Sequence, residues 1–206
     1  MLAPAKLFLA SSNPGKLAEF RELARTAATS SLVELELLPN FNSFPTFEEN
    51  APTFAENAVG KALQYSRLQD GLIFADDSGL VVPALNGQPG VHSARYAGPH
   101  ATSADRMAKL VSAMRGKFGA DRQAHFVCAI ALAQRGRALA VITNRVDGEI
   151  LEVPRGSAGF GYDPLFYFPP LHKTFAELLP EEKNQHSHRG KAFLRLLSSM
   201  LDNTKS

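Results

Sequence analysis

A short apolar run, Leu72-Ile73-Phe74-Ala75, leads directly into two adjacent carboxylates, Asp76 and Asp77, and then Ser78 and Gly79. The run reads as a buried strand. Adjacent like charges repel, and burial raises the cost of each. A cation or a shared proton relieves that strain, so a strand ending in this sequence points to a divalent metal held against a phosphate-bearing ligand. The same residues also read as a polar turn with Gly79 supplying a permissive backbone.

The chain of 206 residues is long enough for one well-buried domain or two fused lobes, and 45% of it is apolar, so a core forms without disulfides. The formal net charge of +2 argues against a general nucleic-acid binder. Cys128 is the only cysteine and sits in the apolar run Phe126 to Ile130, where it reads as a small core residue. A disulfide framework and a cysteine-based zinc site are therefore excluded. Leu7 to Ala10 is too short to span a membrane and lacks a signal-peptide pattern, so the expected location is the cytoplasm.

Patterning along the chain predicts an α/β order. A first strand is expected from Lys6 to Ala10, then the turn cluster Ser11-Ser12-Asn13-Pro14-Gly15-Lys16. A helix follows, with Leu17, Phe20, Leu23, Ala24 and Ala27 at helical spacing. Leu32 to Leu38 alternates as a half-exposed strand. Pro39 to Pro52 is a loop carrying Glu48 and Glu49, and Thr53 with Glu56 forms a capping box that opens a helix to about Leu68. Leu80 to Leu85 is a second apolar segment, interrupted by Pro83. Thr102 or Ser103 can cap a helix through Met114. Gln123 to Gln134 and Ala138 to Val146 read as a hairpin, with Asp147-Gly148 as a further turn signal. A short helix is expected over Phe175 to Leu179 and a final one from His186 to Leu201. The sum is a mixed sheet with flanking helices.

Four constellations carry chemistry, each with a plainer reading beside it. Ser11 to Lys16 joins a strand to a helix start, where hydroxyls, an amide, backbone N–H groups and Lys16 suit an anion, although the P-loop spacing is absent. An ordinary capped turn fits the same residues. Glu48, Glu49, Asp76 and Asp77 offer the oxygen ligands that magnesium takes together with phosphate oxygens, or form a solvated acidic surface. Gly159-Phe160-Gly161-Tyr162-Asp163 presents aromatic rings among small neighbours, suited to a flat base, or simply pins a loop to the core. Lys183, His186, His188, Arg189 and Lys191 cluster before the last helix; the basic residues oppose the dipole there, which favours a functional reading over a solvated helix start.

Taken together, these segments resemble the Ham1-type non-canonical purine nucleoside triphosphate pyrophosphatases, the inosine triphosphate pyrophosphatase or XTP/dITP diphosphatase family, in its bacterial branch. The motifs that carry the resemblance are Ser11 to Lys16, Phe54 to Ala58, Ala75 to Leu80, Gly87 to Gly98, Gly159 to Pro164 and Glu181 to Gly190. They occur in the family's order from Leu7 to Leu197. The resemblance implies a single α/β domain over residues 1–206, with an elongated mixed sheet and flanking helices forming two lobes around a central cleft. It implies a homodimer with no nucleic-acid or membrane partner, Mg2+ dependence, and hydrolysis of ITP, XTP and their deoxy forms to the monophosphate and pyrophosphate. By position, it implies that Ser11, Ser12, Asn13, Pro14, Gly15 and Lys16 hold the triphosphate. Asp77 is then the general base and a metal ligand, with Glu48 preferred to Glu49 as a second ligand, and Ser78 contacts substrate. Phe160, Gly161, Tyr162 and Asp163 hold the base, with Phe160 stacked on it, and Lys183, His188 and Arg189 complete the base and phosphate contacts. Pro14, which lacks an N–H, and Ser11, in place of a more usual threonine, depart from the family pattern. Two rivals are a Maf-like pyrophosphatase with pyrimidine substrates, against which the Gly159 and Ser187 motifs argue, and a non-catalytic nucleotide sensor, which has no need of the carboxylate pair.

Overall fold

A computed structural model of the chain describes residues 4–27 and 33–203. Twelve principal elements lie along them. They are β1 (Ala5–Leu9), α1 (Pro14–Thr26), β2 (Val33–Leu37), α2 (Phe54–Leu68), β3 (Leu72–Val81) and α3 (Ser103–Ala113). These are followed by β4 (Gln123–Gln134), β5 (Arg137–Ile150), β6 (Phe166–Phe168), β7 (Lys173–Thr174), α4 (Pro180–His186) and α5 (His188–Asn203). The strands form one sheet in the order β2-β1-β3-β4-β5-β6-β7. Strand β1 pairs in parallel with β2 and β3, the register that helical crossovers impose, whereas β6 pairs antiparallel with β5 and β7. The mixed α/β class is as expected. The strand predicted over Leu32 to Leu38 is observed as β2, with Leu32 itself outside the described residues.

The chain divides into two compact units. The first holds the residues up to Asp77, Cys128–Asn144 and those from Arg189 on; the second holds Ser78–Val127 and Arg145–His188. In the first, the apolar stripe of α1 packs Phe20 edge-on against Phe74 of β3, 5.2 Å between centroids, and against Phe193 of α5 at 4.7 Å. Leu7, Leu9, Ile130, Leu196 and the fully buried Cys128 complete that core. In the second, Phe126 packs on Phe166 and Phe175, with Leu80, Leu110, Val146 and Leu165 around them.

Five local expectations are corrected. The Asp76 to Gly79 segment is not a turn closing a strand; it lies inside the ten residues of β3, which ends only at Val81. The reason is that both carboxylates find partners beside the strand, so the backbone has no need to leave the sheet. Pro83–Leu85, read as part of an apolar segment, is a 3-10 turn that Pro83 opens. Phe175–Glu177 is likewise a 3-10 turn, capped by Thr174 and shorter than the helix expected there. The last helix starts at His188 and not at His186, because Ser187 is extended (ψ 153°) and separates α4 from α5.

Asp147-Gly148 lies inside β5 and does not turn the chain. A side chain on Gly148 would meet the Tyr167 carbonyl oxygen at 2.5 Å and the Phe166 ring at 2.6 Å. The glycine is required by close approach of β6, not by backbone conformation. Gly148→Ala is therefore expected to destabilise the protein by about 1–3 kcal/mol in urea unfolding. A neutral result would show that β6 can yield to a side chain there.

Candidate active site

The carboxylate pair is divided by strand geometry. Successive side chains of a strand project to opposite faces, and Asp76 and Asp77 meet different surroundings accordingly. Asp76 is 2% exposed. It accepts hydrogen bonds from Lys16 Nζ at 2.8 and 3.0 Å and lies 3.4 Å from Arg189 Nε. Arg189 is itself held by Glu19 at 2.8 Å. Burial pushes the Asp76 carboxyl up, but the charges of Lys16 and Arg189 outweigh it and hold the group well below the usual carboxylate range.

Asp77 has the opposite balance. Burial, reinforced by the charges of Glu49 and Asp76, pushes its carboxyl up to about 6, against the hydrogen bond that favours the charged form. That bond comes from Asn57 Nδ2 at 2.9 Å. Asn57 is fully buried on α2, and its Oδ1 accepts from the Ala51 N–H of the acidic loop at 2.9 Å. The same loop is tied to α2 by Lys61 Nζ on Glu49, 2.8 Å. Glu48 is exposed, and no cation pairs with its carboxylate among the described residues.

The expected phosphate loop is a self-contained cap. Asn13 Oδ1 accepts from Gly15 N at 2.9 Å and Lys16 N at 3.3 Å, and Ser11 Oγ accepts from Asn13 N at 3.0 Å. Pro14, the first residue of α1, contributes no donor. Several of the expected N–H donors are thus engaged within the loop, while Ser12 and Asn13 are exposed. Lys16 Nζ is bonded to both carboxylate oxygens of Asp76.

In the second unit, Phe160 stands 57% exposed between Gly159 (φ 74°) and Gly161 (φ 64°). Its N–H donates to Asp163 Oδ2 at 2.7 Å, and the same oxygen accepts from Lys183 Nζ at 2.7 Å. Lys183 Nζ lies 4.7 Å from the centroid of the Phe160 ring. A side chain on Gly159 would collide with Asp163 Oδ2, so this glycine permits the bond that orders the loop. An exposed ring with a cation beside it is a stacking platform for a flat partner. Tyr162 is 4% exposed and does not share that platform. His188 is buried and stacked on Phe126 at 4.8 Å, and Ser78 is half-buried on β3.

The structure thus brings Lys16, Asp76 and Arg189 into one charged network and Phe160, Asp163 and Lys183 into another. Arg189, expected as a donor to substrate, is 3% exposed and engaged with Glu19 and Asp76. Sequence reasoning assigned no role to Asn57, Lys61 or Glu19. Asn57 lies within the Phe54 to Ala58 motif, which was the available signal. Lys61 and Glu19 follow their motifs by a helical turn, on the face a helix shares at such spacing.

The profile described as the Ham1 family matches residues 7–199. The chain belongs to the Ham1 family. It is 49% identical over 191 residues to the dITP/XTP pyrophosphatase of Geobacillus kaustophilus, covering 93% of this chain and 92% of that one. It is 46% identical over 200 residues to the dITP/XTP pyrophosphatase of Coxiella burnetii, covering 95% and 96%. Among solved structures, a HAM1 protein from Coxiella burnetii superposes with a TM-score of 0.85 at 42% identity, covering 96% of this chain and 99% of that one. The Staphylococcus aureus Ham1 protein gives 0.83 at 36% identity, covering 97% and 99%.

The raised Asp77 carboxyl has a consequence for stability. Native Asp77 holds its proton up to about pH 6, whereas in the unfolded chain it loses it near the ordinary 3.8. The native state therefore binds more protons across that window, and stability falls as pH rises through it. Asp77→Asn is expected to stabilise the metal-free protein by roughly 1–3 kcal/mol at about pH 7 and by much less at about pH 4. Chelator-treated protein unfolded in urea at both pH values tests this; an equal effect at both would sink the assignment.

Proposed function

We propose that this Ham1 protein hydrolyses non-canonical purine nucleoside triphosphates, ITP, dITP, XTP and dXTP, at the bond between the α- and β-phosphates, and so removes them from the nucleotide pool. The chain is a nucleoside triphosphate pyrophosphatase of the dITP/XTP type. The observation that carries the chemistry is the division of Asp76 from Asp77, because two carboxylates with pKa values driven apart can take separate roles.

Enzymes of this family are generally metal-dependent. We assign magnesium. Among the described residues no group of three His, Cys, Asp or Glu side chains could by itself hold a metal. A pair of carboxylates suits an ion that takes one or two of them and completes its shell with phosphate oxygens and water. Asp76 and Glu49 are already neutralised by lysines. Asp77 and Glu48 are the carboxylates that remain to hold it. When bound, the ion supplies charge neutralisation at the phosphates.

The chain's own residues do the rest. Asp77 aims the attacking water and takes its proton, with Asn57 holding its Oδ2. Ser11 to Lys16 and Ser78 hold the phosphates, with Lys16 shared between Asp76 and substrate. The base stacks on Phe160. Lys183, beside that ring, donates to the 6-oxo group of hypoxanthine or xanthine and cannot accept from the 6-amino group of adenine. His188, stacked on Phe126, packs in the core of the second unit. We place the protein in the cytoplasm as a homodimer; no helix among the described residues is long and apolar enough to cross a membrane.

A release assay over ITP, dITP, XTP, dGTP and dATP, with and without magnesium, tests the reading. Pyrophosphate, not phosphate, is the expected product, and dATP should turn over far more slowly than dITP. Asp77→Asn should lose about 10²–10⁴-fold in activity; near-normal turnover at saturating magnesium would remove Asp77 from the chemistry.

Proton and metal compete for Asp77. With its carboxyl at about 6, only about a tenth is ionised at pH 5, so half-activation should need roughly tenfold more magnesium there than at pH 7. Glu48→Gln should raise the requirement at both pH values, and Glu49→Gln should do so less. A magnesium requirement independent of pH would contradict the ligand assignment.

A further inference from the structure

The Gly87 to Gly98 segment carries one of the family's motifs, yet none of its residues enters the site described above. It lies wholly within the second unit, as do the residues it touches. Residues Gly90–Arg95 form a short 3-10 helix, and Ser93 is buried within it. The Ser93 hydroxyl accepts from the Leu80 N–H of β3 at 2.9 Å and donates to the Gly90 carbonyl at 2.7 Å. The Ser93 carbonyl in turn accepts from the Tyr162 phenol at 2.9 Å. Burial drives that phenol well above its ordinary value, so it remains a donor at any working pH.

We propose that Ser93 and Tyr162 are positioning residues for the base-binding loop, a clasp from β3 through Ser93 to Tyr162 that keeps Phe160 to Asp163 in its ring-out conformation. The inference rests on the reading that Phe160 receives the base. Two glycines in the left-handed region flank Phe160. Such a stretch has many alternative conformations, and ordering it at binding lowers affinity. Asp163 restrains the loop from one side through the Phe160 N–H. Tyr162, the residue just before Asp163, restrains it through the Ser93 carbonyl. With the clasp cut, the ring-out conformation is a smaller fraction of the population and the apparent dissociation constant rises in proportion. That loss weakens substrate and transition state alike, so KM rises and kcat stays.

The test compares Tyr162→Phe, Ser93→Ala, their double variant and Phe160→Ala, measuring kcat and KM for dITP together with the urea midpoint. Tyr162→Phe and Ser93→Ala are each expected to raise KM about 3- to 10-fold, the effect of one net hydrogen bond, with kcat within about twofold. The double variant should do no more than the larger single change, since both cut one path. Unchanged KM in the single variants, or a kcat that falls with the urea midpoint while KM holds, would overturn the clasp. Phe160→Ala separates the two layers. If it raises KM while the clasp variants do not, only the clasp fails; if it leaves KM unchanged, the base-loop reading fails and takes the clasp with it. Tyr162→Phe keeps the buried ring and decides the matter should Ser93→Ala not fold.

Discussion

The two-residue period of β3 is the constraint on which the first unit depends. It sends two adjacent carboxylates to opposite faces, so that one sequence pair becomes two environments. Asp76 is held ionised by Lys16 and Arg189, and Asp77 is left with burial and like charges that the Asn57 hydrogen bond and the Lys16 charge only partly oppose. Had the strand ended before the pair, both side chains would have reached water and neither shift would arise. The separation in acidity therefore comes from backbone geometry first and from partners second.

The network around Asp76 explains why a charged group can sit in a core at all. Glu19, Arg189, Asp76 and Lys16 alternate in sign, so each buried charge faces an opposite one. Such pairs gain little over apolar packing, but removing one partner leaves another charge stranded and typically costs about 3–5 kcal/mol. The network thus specifies how α1, β3 and α5 meet more than it stabilises them. Arg189 owes its burial to this role. Its guanidinium can reach a substrate only by loosening its hold on Glu19 or Asp76.

Periodicity made most elements legible, because apolar spacing reports directly on which face is buried. Phe20, Leu23 and Leu17 marked α1, and Thr53 with Glu56 marked the start of α2. Two of the corrected segments share a cause: Asp76 to Gly79 and Asp147-Gly148 carry turn-type residues where tertiary contact decides otherwise. Asp76 and Asp77 stay in the sheet because Lys16, sixty residues earlier, and Asn57, twenty residues earlier, satisfy them. Gly148 stays in β5 because the β6 backbone needs its space. No local window contains those partners. The site was legible at the level of motifs, but the inward-facing residues Asn57, Lys61 and Glu19 were not, since their importance lies in what they hold.

The base loop shows the same division between presenting and holding groups. Phe160 is exposed because Gly159 and Gly161 let the backbone turn, but glycines alone would leave the ring wandering. Asp163 converts that freedom into a fixed geometry by accepting from both the Phe160 N–H and Lys183. The lysine so held also lies beside the ring, so one carboxylate sets the stacking surface and the polar donor together. In the function proposed above, selectivity for a 6-oxo purine draws on both at once. A donor free to swing away would lose the oxo group's contribution, while a ring fixed without the donor would accept any flat base. Coupling the two through Asp163 makes the exposed ring and the lysine beside it a single feature of the loop.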